Sequence, residues 1–136
     1  MVKTLRNGYR AVTLLGKSRI YNNNSTERVR ERLYRYPKEN LVLTGGHSVL
    51  VDAVSGEQMA AIRESFGKLF FTEGKIRLMA KDDPEAECYP VQGPHEIYNF
   101  VLEAPTEHMN YGVFANGKLV ESSFPYWIKK GMNIVV

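Results

Sequence analysis

Short runs of alternating apolar and polar residues dominate the chain, and most are closed by Gly, Pro or Asn. A period of two predicts strands with one face turned inward. The first two are residues 2–5 and 9–15, placed around Asn7-Gly8, a pair that accepts positive φ at both centres of a tight hairpin. "YNNNSTER", residues 21–28, reads as polar loop. "RLYRYP" and "NLVLTGGHSVLVD" follow as strands separated by Pro37 to Asn40, and Pro37 limits how far the first can pair. "LFFT" and "KIRLMA" read as strands around Glu73-Gly74. Residues 81–95 hold acids, Gly93 and three of the six prolines, and read as loop. "EIYNFVLE", residues 96–103, is the next strand. "YGVFANGKLVES" is a strong hairpin signal: Asn116-Gly117 makes the turn, with Phe114 facing Leu119 and Val113 facing Val120.

Helical periodicity is confined to one place. Ser55 and Gln58 have capping-box spacing, Met59, Ile62 and Phe66 share a helical face, and Gly67 can end the element. The tail, "FPYWIKKGMNIVV", is more apolar than a free terminus and is expected to dock or to continue into a partner. These elements predict an all-β protein of short strands and hairpins with one short helix near residues 56–66. The 136 residues suit a single domain with one sizeable core.

Composition narrows the function classes. No run is long enough for a membrane span, and the first twenty residues lack a signal-peptide core. Cys88 is the one cysteine, which rules out an internal disulfide and a cysteine-built zinc site. Its acidic neighbours argue against an activated thiol. No cofactor or metal motif is present. Net charge is +3, too small to argue for nucleic acid alone. The basic residues do gather in "RVRERLYRYPK", where Arg28, Arg30, Arg32, Arg35 and Lys38 interleave with Tyr34 and Tyr36. That pattern fits a phosphate-tracking surface. A solvated face with Glu27 and Glu31 as partners is the better-supported reading of the same pattern.

The middle of "LVLTGGHSVLVD" is unusual for a strand. Thr44 and His47 are three apart, so a flat strand would put them on opposite faces. A bulge at Gly45-Gly46 would shift the parity and let both converge on one centre, with room for another backbone against the glycines. A hydroxyl and backbone donors could then orient a peptide bond while an imidazole supplies a proton. The alternative is a glycine-marked sharp turn with a satisfied histidine.

"TGGH", followed much later by "IYNFVLE" and "YGVFANGKLVES", resembles the Hint family, the hedgehog and intein autoprocessing domains. The similarity is greatest to the variety found in giant-virus proteins, and "VKTLRNGYRAVTLLGK" resembles that domain's second and third strands. The resemblance implies a compact all-β disc and self-cleavage by an acyl shift. A cysteine or serine opening the domain attacks the preceding carbonyl; Thr44 would orient the scissile amide and His47 would protonate the departing nitrogen. Gly45, Gly46, Asn116 and Gly117 would be structural at the site.

Several positions depart from the family pattern. The nucleophile belongs to a first strand that would precede Met1, and neither Ser18 nor Cys88 can replace it by position. Asn99 stands where an acid or histidine assists the acyl shift, and an amide is neither general acid nor base. Tyr111 occupies a histidine position, and Glu121-Ser122 replaces the terminal His-Asn of inteins. Splicing is therefore not expected, and self-cleavage is not expected of this chain alone. The alternative function is a non-catalytic interaction or structural module, with nucleic-acid binding through Arg28–Lys38 ranked last. A missing first strand leaves an edge to be covered by its own upstream segment, by a complementing strand, by a second copy in a homo-oligomer, or by the tail folding back.

Overall fold

The computed structural model describes residues 2–3, 9–23 and 27–134. In chain order the strands are β1 (Val2–Lys3), β2 (Tyr9–Arg10), β3 (Val12–Asn22), β4 (Leu33–Tyr36), β5 (Leu41–Thr44) and β6 (Ser48–Val51). Helix α1 (Gly56–Phe66) is followed by β7 (Phe71–Thr72) and β8 (Lys75–Met79), then a single 3₁₀ turn at Ala80–Asp82. β9 (Glu87–Cys88), β10 (Gly93–Leu102), β11 (Gly112–Ala115) and β12 (Lys118–Glu121) precede helix α2 (Pro125–Gly131) and β13 (Asn133–Ile134). Among the described residues the protein is all-β in character, with two short helices. Neither helix is long and apolar enough to cross a membrane.

The pairing is antiparallel throughout. β11-β12-β6-β8-β7 form one sheet, β5-β4-β9 a second and β10-β3-β13 a third, while β1 pairs with β2. The tight turns follow from local chemistry. Asn116-Gly117 and Glu73-Gly74 both hold positive φ at each centre, near 51° and 84° and near 49° and 78°, the twist that a two-residue hairpin needs. The β11–β12 register pairs Val113 with Val120 and Phe114 with Leu119, as the sequence predicts. In α1, the Ser55 hydroxyl accepts from Gln58 N–H, and Gln58 returns its amide oxygen to Ser55 N–H. Gly67, at φ 80°, closes the helix by donating to the Arg63 carbonyl. Ile62 seats α1 on the core, among Tyr34, Tyr36, Val49, Leu78, Leu102 and Tyr111.

Four boundaries differ from the sequence reading. β3 runs on to Asn22 instead of ending at residue 15, because the buried Asn22 amide is fully used there. Its Nδ2 donates to the Tyr89 and Val91 carbonyls, and its Oδ1 accepts from Leu33 N–H. The stretch 81–95 is not all loop: it supplies β9 and the start of β10. Residues 41–52 are two strands in different sheets, not one. The tail holds a second helix. Ile128 packs so closely on Gly16 that a Cβ there would lie 2.5 Å from Ile128 Cγ1, and β13 then pairs with β3 at Gly16 and Lys17. The tail thus docks by folding back along β3. The predicted Asn7-Gly8 turn lies outside the described residues.

Candidate functional site

Thr44 ends β5 and Ser48 begins β6, and the glycines between them make a sharp turn closed by His47 N–H to the Thr44 carbonyl at 3.0 Å. Of the two readings of this stretch, a bulge within one strand or a glycine-marked sharp turn, the structure has the turn, and it joins two sheets. Its cause is visible at Gly45, which is buried where an added Cβ would fall 2.0 Å from the Val29 carbonyl oxygen and 2.8 Å from the Tyr34 ring. Gly45 N–H donates to Arg32 O, its carbonyl accepts from Lys81 N–H, and the His47 carbonyl accepts from Ala80 N–H. Gly46 is exposed.

The turn nonetheless brings Thr44 and His47 to a common centre. Both line a cavity of about 410 Å³ together with Val42, Leu43 and the 95–99 segment of β10, including Asn99. Both also line an adjoining cavity of about 180 Å³, again with Asn99, and with Glu121, Phe124 and Trp127. The larger cavity lies between β5 and β10. Each is the edge strand of its sheet, with no strand on its outer side among the described residues. Backbone donors and acceptors of both strands can therefore reach a third, extended chain laid between them.

His47 is already half committed. Its Nε2 lies 2.8 Å from the Glu121 carbonyl oxygen. A carbonyl only accepts, so Nε2 carries the proton and the neutral ring keeps its lone pair on Nδ1. Asn99 sits opposite Gly16 in the β3–β10 pairing, and its Nδ2 donates to Met132 Sδ at 3.5 Å. Glu121 forms a partly buried ion pair with Arg77, Nε to Oε2 3.7 Å. Burial lowers the Arg77 guanidinium from its ordinary range, and Glu121 opposes that shift.

The other residues singled out by sequence lie elsewhere. Asn116 and Gly117 form the β11–β12 turn, where Asn116 Nδ2 donates to the Asn40 carbonyl. Tyr111 is buried beneath the Arg10 guanidinium. Cys88 is on β9, separated from β5 by β4. Neither Cys88 nor Ser18 lines either cavity. The basic cluster does not form one face. Arg28 reaches four main-chain carbonyls, of Ala80, Lys81, Asp83 and Ala86, Arg32 is buried, and Arg35 pairs with Glu87 at 2.6 Å. Phe124 and Trp127 were not expected at the site; the apolar excess of the tail was their one signal.

Comparison with known proteins found no match: no family profile, curated protein or solved structure matches the chain.

Proposed function

We propose that this chain is a Hint-like domain, descended from self-cleaving modules, whose groove between β5 and β10 holds an extended peptide beside Thr44 and His47. The observation that supports this most is the meeting of Thr44, His47 and Asn99 at one cavity between two strand edges that have no partner among the described residues. Edge strands supply the backbone pairing that holds an extended chain, and the two side chains supply orientation and a proton.

In this reading the nucleophile comes from an upstream or separately supplied strand. Its cysteine Sγ attacks the preceding carbonyl carbon, the C–N bond breaks and a thioester forms. As Sγ attacks, Nδ1 of the neutral ring takes the thiol proton, and the imidazolium so formed hands it to the departing nitrogen, because Nε2–H is engaged with the Glu121 carbonyl. The Thr44 hydroxyl orients the amide. Asn99 can donate a hydrogen bond to the site but cannot exchange a proton at neutral pH.

The test is a fusion in which a strand beginning with Cys and ending in Gly-Asp precedes Met1. Incubated with dithiothreitol, it should release the segment ahead of the cysteine as a thioester-derived product, identified by mass. Asn99→Asp should accelerate the release. Absence of product from both fusions overturns the cleavage reading.

The second reading, a peptide-gripping module without chemistry, is favoured by Asn99, whose amide is occupied by Met132. It expects the fused strand to be protected from exchange in the groove while remaining uncleaved.

A further inference from the structure

The residue at position 121 touches the candidate general acid from two directions. Its carbonyl oxygen receives His47 Nε2–H at 2.8 Å, and its carboxylate Oε1 receives the N–H of Ser48, the next residue, at 3.2 Å. The second carboxylate oxygen is itself held. Asn110 Nδ2 donates to Oε2 at 3.1 Å, and Arg77 stands 3.7 Å away. Arg77 in turn donates to Thr72 Oγ1 at 2.7 Å, and Thr72 Oγ1 is bonded to Asn110 Oδ1. These four side chains close a ring, and Thr72 and Asn110 are buried in it. A ring of satisfied polar groups away from water has few alternative arrangements.

We propose that Glu121 is the positioning residue of this site. It clamps the His47–Ser48 backbone and ring between its own carboxylate and carbonyl, and so fixes His47 as the Nε2–H tautomer with Nδ1 as the reactive nitrogen. The inference rests on the reading of His47 as the proton donor, yet it concerns the geometry of the ring and is measurable without any cleavage. β12 is already paired with β6 at Val120 and Val49, but the Glu121 carbonyl lies at the end of β12, beyond that pair. The carboxylate ties β12 to the start of β6, so that the two chain segments move together. Glutamine cannot replace it. An amide gives one acceptor to Ser48 N–H and then turns an NH₂ toward the Asn110 amide and the Arg77 guanidinium, both donors.

The experiment is long-range ¹H–¹⁵N NMR on histidine-labelled full chain at a pH where the imidazoles are neutral, with His47→Gln identifying the resonances. Wild type should show His47 as Nε2–H in roughly tenfold excess, the equilibrium counterpart of one hydrogen bond of about 1.4 kcal/mol. Glu121→Gln should lower that excess to the ratio shown by free neutral histidine under the same conditions, while the amide spectrum of the core stays in place. Glu121→Asp keeps the charge beside Arg77 but falls one methylene short of Ser48 N–H, and it should show the same loss if the glutamine variant does not fold. Wild type found mainly as Nδ1–H overturns the proposal by itself. So does an unchanged tautomer ratio in a folded Glu121 variant. A fixed tautomer with no cleavage in the fusion leaves the clamp standing and removes the chemistry. Cleavage with freely exchanging tautomers does the reverse.

Discussion

At the residue scale, two adjacent glycines with opposite needs define the turn that carries Thr44 and His47. Gly45 has no room for a methyl group, because backbone and an aromatic ring already fill the space. Gly45→Ala should therefore destabilise by about 3 kcal/mol or more in urea unfolding. At Gly46 the nearest atom to an added Cβ is Arg30 Cβ, at an ordinary 3.5 Å. Gly46→Ala should change stability by less than about 1 kcal/mol. Equal effects at the two positions would contradict the packing described. The turn was half legible in "TGGH". Glycines in a strand pattern announce an interruption, but whether the chain bulges or turns is decided by the Val29 carbonyl and Tyr34 ring, which periodicity does not report. The buried pair Tyr36–Asp83 gives a second residue-scale expectation. Tyr36 donates to Asp83 Oδ2 at 2.8 Å, and burial first, then the Asp83 charge, raises its pKa far above the ordinary range. Burial raises Tyr34 as well. A raised folded-state pKa contributes stability that is whole below the unfolded value near 10 and is lost as pH climbs above it. Thermal unfolding should therefore be steady up to about pH 10 and fall beyond it. Tyr36→Phe should flatten part of that fall, while lowering stability at pH 7 by about 1–3 kcal/mol, since Asp83 Oδ2 loses its donor and only Oδ1 keeps one, from Glu85 N–H.

At the element scale, the hairpins and α1 were legible because their determinants are local. Asn-Gly at a two-residue turn and Ser-x-x-Gln at a helix start act within four residues. The tail was legible only as something apolar. α2 is seven residues long, too short to stand on propensity, and exists because Ile128 is buried against Gly16, with Pro125 buried as well. That contact lies more than a hundred residues away along the chain. β3 was cut short for the same kind of reason, since Asn22 in isolation reads as loop and in place links three segments. Ile128 is the buried apolar seat of the tail, which β13 pairing with β3 and Tyr126 N–H to the Glu107 carbonyl also hold. Ile128→Ala should raise hydrogen exchange of the α2 and β13 amides by on the order of 30-fold, the counterpart of about 2 kcal/mol. Exchange at Val49 and Leu78 in the central sheet should be unaffected. An equal rise in both would mean that the tail is part of the cooperative core.

At the scale of the whole molecule, the site is made by topology. Thr44 and His47 belong to one turn, Asn99 to a strand fifty residues on, and Glu121 to the end of a hairpin beyond that. Sequence reasoning named Thr44 and His47 from the glycine-interrupted strand, and Asn99 from the resemblance to Hint domains. It treated Glu121 as a lost catalytic position, because its partners, Ser48, Asn110 and Arg77, are assembled only by the five-stranded sheet. The basic cluster shows the converse. It is conspicuous in sequence, but Arg28 is spent on main-chain carbonyls and Arg35 on Glu87 in the fold. What remains distinctive is a groove bounded by two strand edges with an imidazole at its end. The most direct measurement compares release rates, by mass spectrometry, from the Cys-headed fusion and from the same fusion carrying His47→Ala. Release from the parent with a fall of about 10²-fold or more in the variant is the expected result. No release from the parent, or equal release from both, would contradict a proton-donating His47 and leave the groove as a binding site only.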